Sequence, residues 1–186
     1  FYHEPRFRPA TLMQMQLDAG LLGRKVGNGF YVYEDGKAQI AEEAPAPDFD
    51  GRPVWISKVE LKSYEKLAAI VHETGAILEN GDKPSDDALI LVTPIGGDAT
   101  DCAVVGDLDA ERTIAVDTLF GLSKRRTLMK TAVSRADVVE AAHGLLGGGD
   151  VPATVIGDTP GFIAQRAVAA ICNIGCSVAQ ARTAAP

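Results

Sequence analysis

The sequence lacks the features that would place it in a membrane, on nucleic acid or in a disulfide framework. No segment approaches the roughly 20 consecutive apolar residues of a membrane-spanning helix, so we expect no membrane partner and a cytoplasmic setting. Basic residues are outnumbered, with 18 Lys and Arg against 25 Asp and Glu, which gives a net charge of -7. Because neutralising phosphates requires a basic face, nucleic acid is not an expected partner either.

Cysteine is also scarce. Cys102, Cys172 and Cys176 form an odd set without a C-x-x-C pair and without a histidine at zinc spacing. Neither a disulfide framework nor a metal site is therefore expected. Cys172 and Cys176 lie in an apolar helical stretch, where they are predicted to be small buried core residues.

The sequence does contain short apolar runs that alternate with amphipathic segments. This alternation predicts βαβ units and a mainly parallel sheet, a reduced Rossmann-like α/β fold. The segment 34–53 is rich in Pro, Gly, Ala and acidic residues without periodicity, and is predicted to be a linker or surface excursion. Strands are predicted at 54–61, 87–94, 112–120, 127–133 and 152–158, and helices at 9–20, from a Ser63 N-cap, from Ser134 and at 162–179.

The predicted sheet lacks the glycine signature of a dinucleotide site. No G-x-G-x-x-G follows the first strand, and the bulky side chains of VELKSYEK at that turn would block the close approach of a pyrophosphate. Gly96 and Gly97, after the second strand, are predicted to form a plain β-turn. We therefore expect a nucleotide-type fold that holds no nucleotide.

Few polar residues stand out as candidates for chemistry. Asp117 ends a predicted strand, where α/β sheets place ligand groups, so a residual binding role and a cap for the following loop are both open. The basic cluster SKRR at 123–126 is predicted to be a solvated loop, with binding of an anion such as phosphate as the alternative. His3, His72 and His143 are predicted to have structural roles.

Two segments carry a family resemblance. GDTPGFIAQR at 157–166 resembles the segment that joins the dinucleotide domain to the helical domain in the L-3-hydroxyacyl-CoA dehydrogenases. AGLLGRKVGNGFYVY at 19–33, the closing signature, resembles the sequence that ends the helical domain of the same family. Here the closing signature comes first, an order that fits the seam between two tandem copies, as in the longer 3-hydroxybutyryl-CoA dehydrogenases.

The resemblance implies a division of the chain into three parts. Residues 1–45 would end a first helical C-terminal domain, 46–157 would form the reduced Rossmann-like domain, and 158–186 would begin a second helical domain. Because the chain opens on Phe1 without methionine and closes after an apolar helix, we expect it to be part of a longer protein. An upstream dehydrogenase domain is then an expected partner.

The family's reaction oxidises a 3-hydroxyacyl-CoA with NAD, and it requires a histidine base and a glutamate that orients the base. On the resemblance, Asp117 stands in the place of the histidine and Val133 in that of the glutamate, so no catalytic or cofactor-binding residue is predicted here. Gln165 stands where the family has an asparagine that assists at the thioester. Together with Arg24 and Lys25 it forms the predicted set of substrate contacts.

Arg24 and Lys25 belong to the closing signature. Its glycines are predicted to allow a tight reversal, and Phe30, Tyr31 and Tyr33 are predicted to anchor it in the core. The two cations are then either part of a structural turn or a rim near the phosphates of CoA.

The resemblance and the missing residues together predict the C-terminal region of an NAD-dependent 3-hydroxyacyl-CoA dehydrogenase. This region is predicted to be non-catalytic, to close the acyl-CoA pocket of the parent enzyme, and to form a homo-oligomer through the apolar helix at 162–179. A non-catalytic module that binds a nucleotide or CoA is the alternative. An enzyme with its own chemistry at Asp117 and Arg125 is a third possibility.

Overall fold

The computed structural model describes residues 8–40 and 43–182. They belong to two compact units, Phe1–Ala44 and Pro45–Pro186. His3, for which a structural role is predicted, lies outside the described residues. Within the described ranges, no helix combines the length and the apolar character that crossing a membrane demands.

The described part of the first unit contains one helix, α1 (Thr11–Asp18), and one hairpin. Strands β1 (Val32–Glu34) and β2 (Lys37–Gln39) pair antiparallel through a turn in which Asp35 and Gly36 have φ angles of 50° and 74°. Asp-Gly with both φ angles positive is a preferred two-residue hairpin turn. The predicted linker or surface excursion therefore contains a strand, β2, that the sequence analysis does not predict.

The second unit is built on a six-stranded sheet, which confirms the predicted α/β class. In chain order its elements are β3 (Val54–Ile56), α2 (Leu61–Glu73), β4 (Leu78–Glu79), β5 (Leu89–Val92), α3 (Ala99–Val105), β6 (Thr113–Val116), β7 (Arg126–Lys130), α4 (Ala136–Gly147), β8 (Ala153–Ile156) and α5 (Ile163–Gln180). The strand order is β4-β3-β5-β6-β7-β8. All neighbouring strands of this described sheet run parallel except β6 and β7, so the sheet is mainly parallel.

The strands of this sheet bury side chains on both faces. In β5, Leu89 and Leu91 pack in a core that also contains buried residues of α2 and α4. Ile90 and Val92 pack on the other face with residues of α3 and with Phe162, which is fully buried. Because successive side chains of a strand point to opposite faces, a strand covered on both sides is apolar throughout.

Two features of the helices differ from the sequence prediction. Ser63 is not the N-cap of α2, because Glu60 takes that position and the buried Ser63 hydroxyl lies 2.7 Å from that of Thr118. Helix α3 follows the turn at Gly96 and is absent from the prediction, because its seven residues are too few for a clear apolar repeat.

Helix α5 is apolar but exposed. Of its residues only Gln165, in the first turn, is buried. Cys172 and Cys176 are exposed, so the prediction that they are core residues is wrong. An apolar helical composition indicates that a helix can be covered, but it does not tell whether this chain supplies the cover.

The segment that leads into β3 lies against α4. Arg52 Nη2 is 3.0 Å from Asp137 Oδ2, and hydrogen bonds from Arg135 and from Arg52 lower the pKa of Asp137 to about 2. At Gly144 of α4, a Cβ atom would lie only 2.7 Å from the carbonyl oxygen of Pro47. The segment is therefore held by ionic contacts at its end and by close backbone packing before it.

Candidate functional site

The strand order reverses between β3 and β5, and open α/β sheets bind their ligands at such a point, beyond the carboxyl ends of the strands. A cavity of about 280 Å³ lies there. Its walls come from the turn after β3, the end of β5 and one side of α3, and are mostly apolar. Val59, in the turn, is 96% exposed at this cavity. We call this region the switch-point crevice.

The N-terminus of α2 opens beside the switch-point crevice and is occupied by a side chain of the protein itself. The Glu60 carboxylate accepts hydrogen bonds from the backbone N–H of Ser63 at 2.6 Å and of Lys62 at 3.3 Å. The hydrogen bonds from Ser63 hold the pKa of Glu60 below its ordinary value, so the carboxylate is charged at neutral pH. The N–H groups that would bind a phosphate in a dinucleotide fold therefore already have an anionic acceptor.

The N-terminus of α3 is filled in the same way by two carboxylates. Asp98 accepts a hydrogen bond of 2.7 Å from the backbone N–H of Asp101. Asp158 accepts one of 3.0 Å from the N–H of Ala99 and pairs with the hydroxyl of Thr100. Asp101 of the same helix lines the switch-point crevice, and the charges of Asp98 and Asp158 act on Cys102 in its wall.

Cys102, on the same wall, lies in surroundings that disfavour its thiolate form. Burial raises the pKa of its thiol, and the charges of Asp101, Asp98 and Asp158 raise it further. Because the thiolate is the reactive form of cysteine, Cys102 stays protonated and unreactive at neutral pH.

These residues do not fit a dinucleotide. A pyrophosphate placed at α2 would meet the Glu60 carboxylate, and the glycines that allow close backbone approach are missing from that turn. Asp98 and Asp158 oppose an anion at the neighbouring helix. The crevice lies where such folds bind a coenzyme, but its carboxylates disfavour the anionic phosphates that a coenzyme would bring.

Gln165 ties the start of α5 to the carboxyl ends of two strands. Its Oε1 accepts a hydrogen bond of 2.8 Å from the N–H of Gly96. Its Nε2 donates to the carbonyl oxygen of Pro94 at 3.1 Å and to Asp117 Oδ1 at 3.0 Å. The residue is 7% exposed, and both amide donors are used, so its side chain is committed to these contacts.

Asp117 acts as a cap for the loop after β6, as one of its two predicted roles requires. Its Oδ1 accepts from the backbone N–H of Leu119 at 3.1 Å as well as from Gln165. The two positions that the family resemblance assigns to a base and to a thioester contact are thus in direct contact with each other. Val133, at the predicted place of the glutamate, is exposed.

The closing signature forms a tight backbone reversal in the first unit. Gly27 has a φ angle of 74°, and a Cβ atom at Gly29 would lie 2.7 Å from the Cα atom of Gly23. These contacts confirm the predicted need for glycine. Phe30 and Tyr31 are 62% and 52% exposed, so the prediction that they anchor the core is wrong for both.

The cations of the closing signature are exposed. The guanidinium carbon of Arg24 lies 5.9 Å from the centre of the Tyr33 ring, within the range of a cation–π contact. Arg24 and Lys25 belong to the first unit and Gln165 belongs to the second. Their role as substrate contacts stays a prediction.

The other candidates have ordinary surroundings. His72 is exposed on α2 and His143 is half-buried on α4. Arg125 Nη1 donates to the Thr154 hydroxyl at 2.7 Å, so it contacts β8. Among the described residues, no group of acidic, histidine or cysteine side chains could hold a metal ion.

The carboxylates that accept hydrogen bonds at the N-termini of α2 and α3 are missing from the sequence prediction. Asp98, three residues before Asp101, follows the spacing of an N-cap and could have been recognised from the sequence. Glu60 is not a preferred N-cap type, and Asp158 is far from α3 in the chain, so neither carries a local signal.

Comparisons with known proteins give likenesses to solved structures and none to sequence families. No protein-family model and no curated protein sequence matches the chain. The crystal structure of 3-hydroxybutyryl-CoA dehydrogenase from Escherichia coli K12 substr. MG1655 is similar, with a TM-score of 0.61 and 23% sequence identity. The match covers 97% of this chain and 33% of that one. The chain thus spans about a third of that protein's length and shares the fold of that part.

Proposed function

We propose that this chain is the C-terminal region of an NAD-dependent 3-hydroxyacyl-CoA dehydrogenase of the tandem 3-hydroxybutyryl-CoA type, active in acyl-CoA catabolism in the cytoplasm. The two sequence motifs and the likeness to the Escherichia coli structure support this assignment. The region itself is non-catalytic. It packs with an upstream dehydrogenase domain, helps to close the acyl-CoA pocket and takes part in oligomerisation.

One observation carries the non-catalytic role. The groups at the carboxyl edge of the sheet that could serve a coenzyme or a substrate already bind other groups of the protein. Glu60 and Asp158 accept hydrogen bonds at the N-termini of α2 and α3, and Gln165 donates one to Asp117. A ligand would have to displace these internal contacts and approach carboxylates that are negatively charged. The arrangement suits a structural domain.

Calorimetric titration tests this role directly. We expect the 186-residue chain to give no saturable binding of NAD⁺ because Glu60 occupies the phosphate position. Acetoacetyl-CoA is titrated in parallel, and a complete 3-hydroxyacyl-CoA dehydrogenase in the same buffer is the positive control. Saturable NAD⁺ binding would contradict the proposal and favour the nucleotide-binding module.

The assignment to a longer dehydrogenase has a separate test. We expect the sequence upstream of Phe1 to contain an intact G-x-G-x-x-G turn and the family's histidine segment, and the whole protein to reduce NAD⁺ with 3-hydroxybutyryl-CoA. A whole protein without this activity would refute the assignment even if the present chain binds no NAD⁺.

We also propose that the chain self-associates through α5. An exposed apolar stripe runs along this helix and consists of Ile163, Ile171, Ile174 and Val178.

Ile171→Asp, at a side chain that is 69% exposed, should shift the chain towards monomer because a charge would be buried in the contact. Gln180→Asp is the matched control, since nine positions place it on the opposite side of the helix. Static light scattering measures the molar mass of both variants and of the unmodified chain. An unmodified chain that is monomeric at micromolar concentration would contradict self-association.

A further inference from the structure

A second cavity lies on the α2 side of the sheet, beside the loop that joins β6 to β7. Its volume is about 300 Å³. Its polar lining comes from Lys66 and Glu73 of α2, from Ser123 of the loop and from Arg126 at the start of β7. The last two residues belong to the basic cluster 123–126, which the proposed function does not use. We call this cavity the β7 cavity.

Arg126 is a nearly buried cation, only 9% exposed. Its Nε donates to the carbonyl oxygen of Leu122 at 3.0 Å, and its Nη1 donates to that of Leu146 at 2.8 Å. Among the described residues, no carboxylate forms an ion pair with it and no acceptor faces its Nη2. The hydrogen bonds of Arg126 use Nε and Nη1, and the residue lines the β7 cavity, which leaves Nη2 as its donor for a ligand there.

The charge of Arg126 is poorly compensated where it lies. Burial lowers the pKa of the guanidinium, and the nearby Glu73 offsets this only in part. The side chain nevertheless stays protonated at neutral pH, because arginine does not lose its proton in proteins. An anion that hydrogen-bonded to Nη2 would replace the favourable interaction with water that the guanidinium loses on burial.

Lys66 supplies a second donor from an independent element. Its Nζ donates to the carbonyl oxygen of Thr118 at 2.9 Å, which leaves two of its three protons for another acceptor. Two cations therefore line the β7 cavity against one carboxylate, Glu73, in a chain whose net charge is -7. A locally positive cavity in an acidic protein selects for anions.

We propose that the β7 cavity binds a small oxyanion of the size of phosphate, with Arg126 Nη2 and Lys66 Nζ as hydrogen-bond donors. Free phosphate and the phosphate group of a monoester share this chemistry. Glu73 weakens the binding by repulsion. The site is independent of the switch-point crevice and of the proposed function.

The test uses titration of the 186-residue chain with inorganic phosphate at constant ionic strength, followed by calorimetry and by the NMR signal of the Arg126 Nε–H. A Kd of about 1 mM or tighter is expected. Lys66→Met should weaken binding about two- to five-fold, the effect of one partly exposed charge. Lys62→Met is the matched control, because Lys62 lies on the same helix and does not line the cavity.

Two variants that each neutralise a glutamate should change phosphate affinity in the opposite direction or not at all. Glu73→Gln should tighten phosphate binding, because it removes the one carboxylate in the β7 cavity, whereas Glu65→Gln on the same helix should leave it unchanged. All four substituted side chains are exposed, so folding is retained. Binding that does not saturate, or that responds equally to Lys66→Met and Lys62→Met, would overturn the proposal. Glycerol 3-phosphate in a parallel titration separates the two sources: tighter binding than phosphate indicates a monoester, and equal binding indicates the free ion.

Discussion

Gln165→Leu is expected to lower the free energy of unfolding of the Pro45–Pro186 unit by about 2–4 kcal/mol. The substitution leaves the buried Pro94 carbonyl without its partner, removes the acceptor of the Gly96 N–H, and removes one of the two hydrogen bonds to the Asp117 carboxylate. A buried polar group without a partner loses its solvation and gains nothing in exchange. Urea unfolding followed by circular dichroism measures the loss.

Two further variants make this result specific. Gln180→Leu changes the same residue type on the same helix at an exposed position, and it should leave stability nearly unchanged. Gln165→Asn keeps the amide but shortens the side chain by one methylene, so we expect a loss between those of the other two. Equal stabilities of Gln165→Leu and Gln180→Leu would mean that the three hydrogen bonds do not attach α5 to the sheet.

Gly144→Ala is expected to destabilise the same unit by about 1–3 kcal/mol. In most helix interiors this substitution stabilises by about 1 kcal/mol, because alanine restricts the unfolded chain. At Gly144 the new Cβ would lie 2.7 Å from the Pro47 oxygen and 2.9 Å from two backbone atoms of the next residues. Backbone atoms cannot rotate away as a side chain can, so the segment before β3 must move off α4.

Gly175→Ala in α5 is the matched control for this prediction. It is also a glycine within a helix, and nothing lies within 4 Å of the position its Cβ would take. We therefore expect a gain of up to about 1 kcal/mol in helix stability. Thermal unfolding of the two variants should shift in opposite directions, and a stabilised Gly144→Ala variant would show that the 46–49 segment packs less closely than described.

The strands of the second unit could be predicted from the sequence, because a strand buried on both faces is an uninterrupted apolar run. Short elements could not: β4 has two residues, α3 has seven, and neither contains a repeat that distinguishes it from a loop. The hairpin of the first unit has an Asp35-Gly36 turn signal, which the surrounding Pro, Gly and Ala residues obscured.

The absence of a dinucleotide signature at the candidate site could be predicted from the sequence. The side-chain contacts that the site contains instead could not. The missing glycines after β3 are visible in the sequence. The contacts of Gln165 with Gly96 and Pro94 join residues about 70 positions apart, and only the folded chain brings them together. The burial of Cys172 and Cys176 was predicted wrongly for a related reason, since composition describes a helix and not its neighbours.

Asp158 has a consequence for how this domain can change during evolution. Its carboxylate serves α3, and it lies in the segment that carries the chain from β8 into α5. A mutation that cleared this acid for an incoming phosphate would also loosen the attachment of α5, while Glu60 would still block the neighbouring helix. Coenzyme binding at this edge of the sheet would therefore require substitutions at both helix N-termini, and the one at Asp158 would also cost the contact between α3 and the segment before α5.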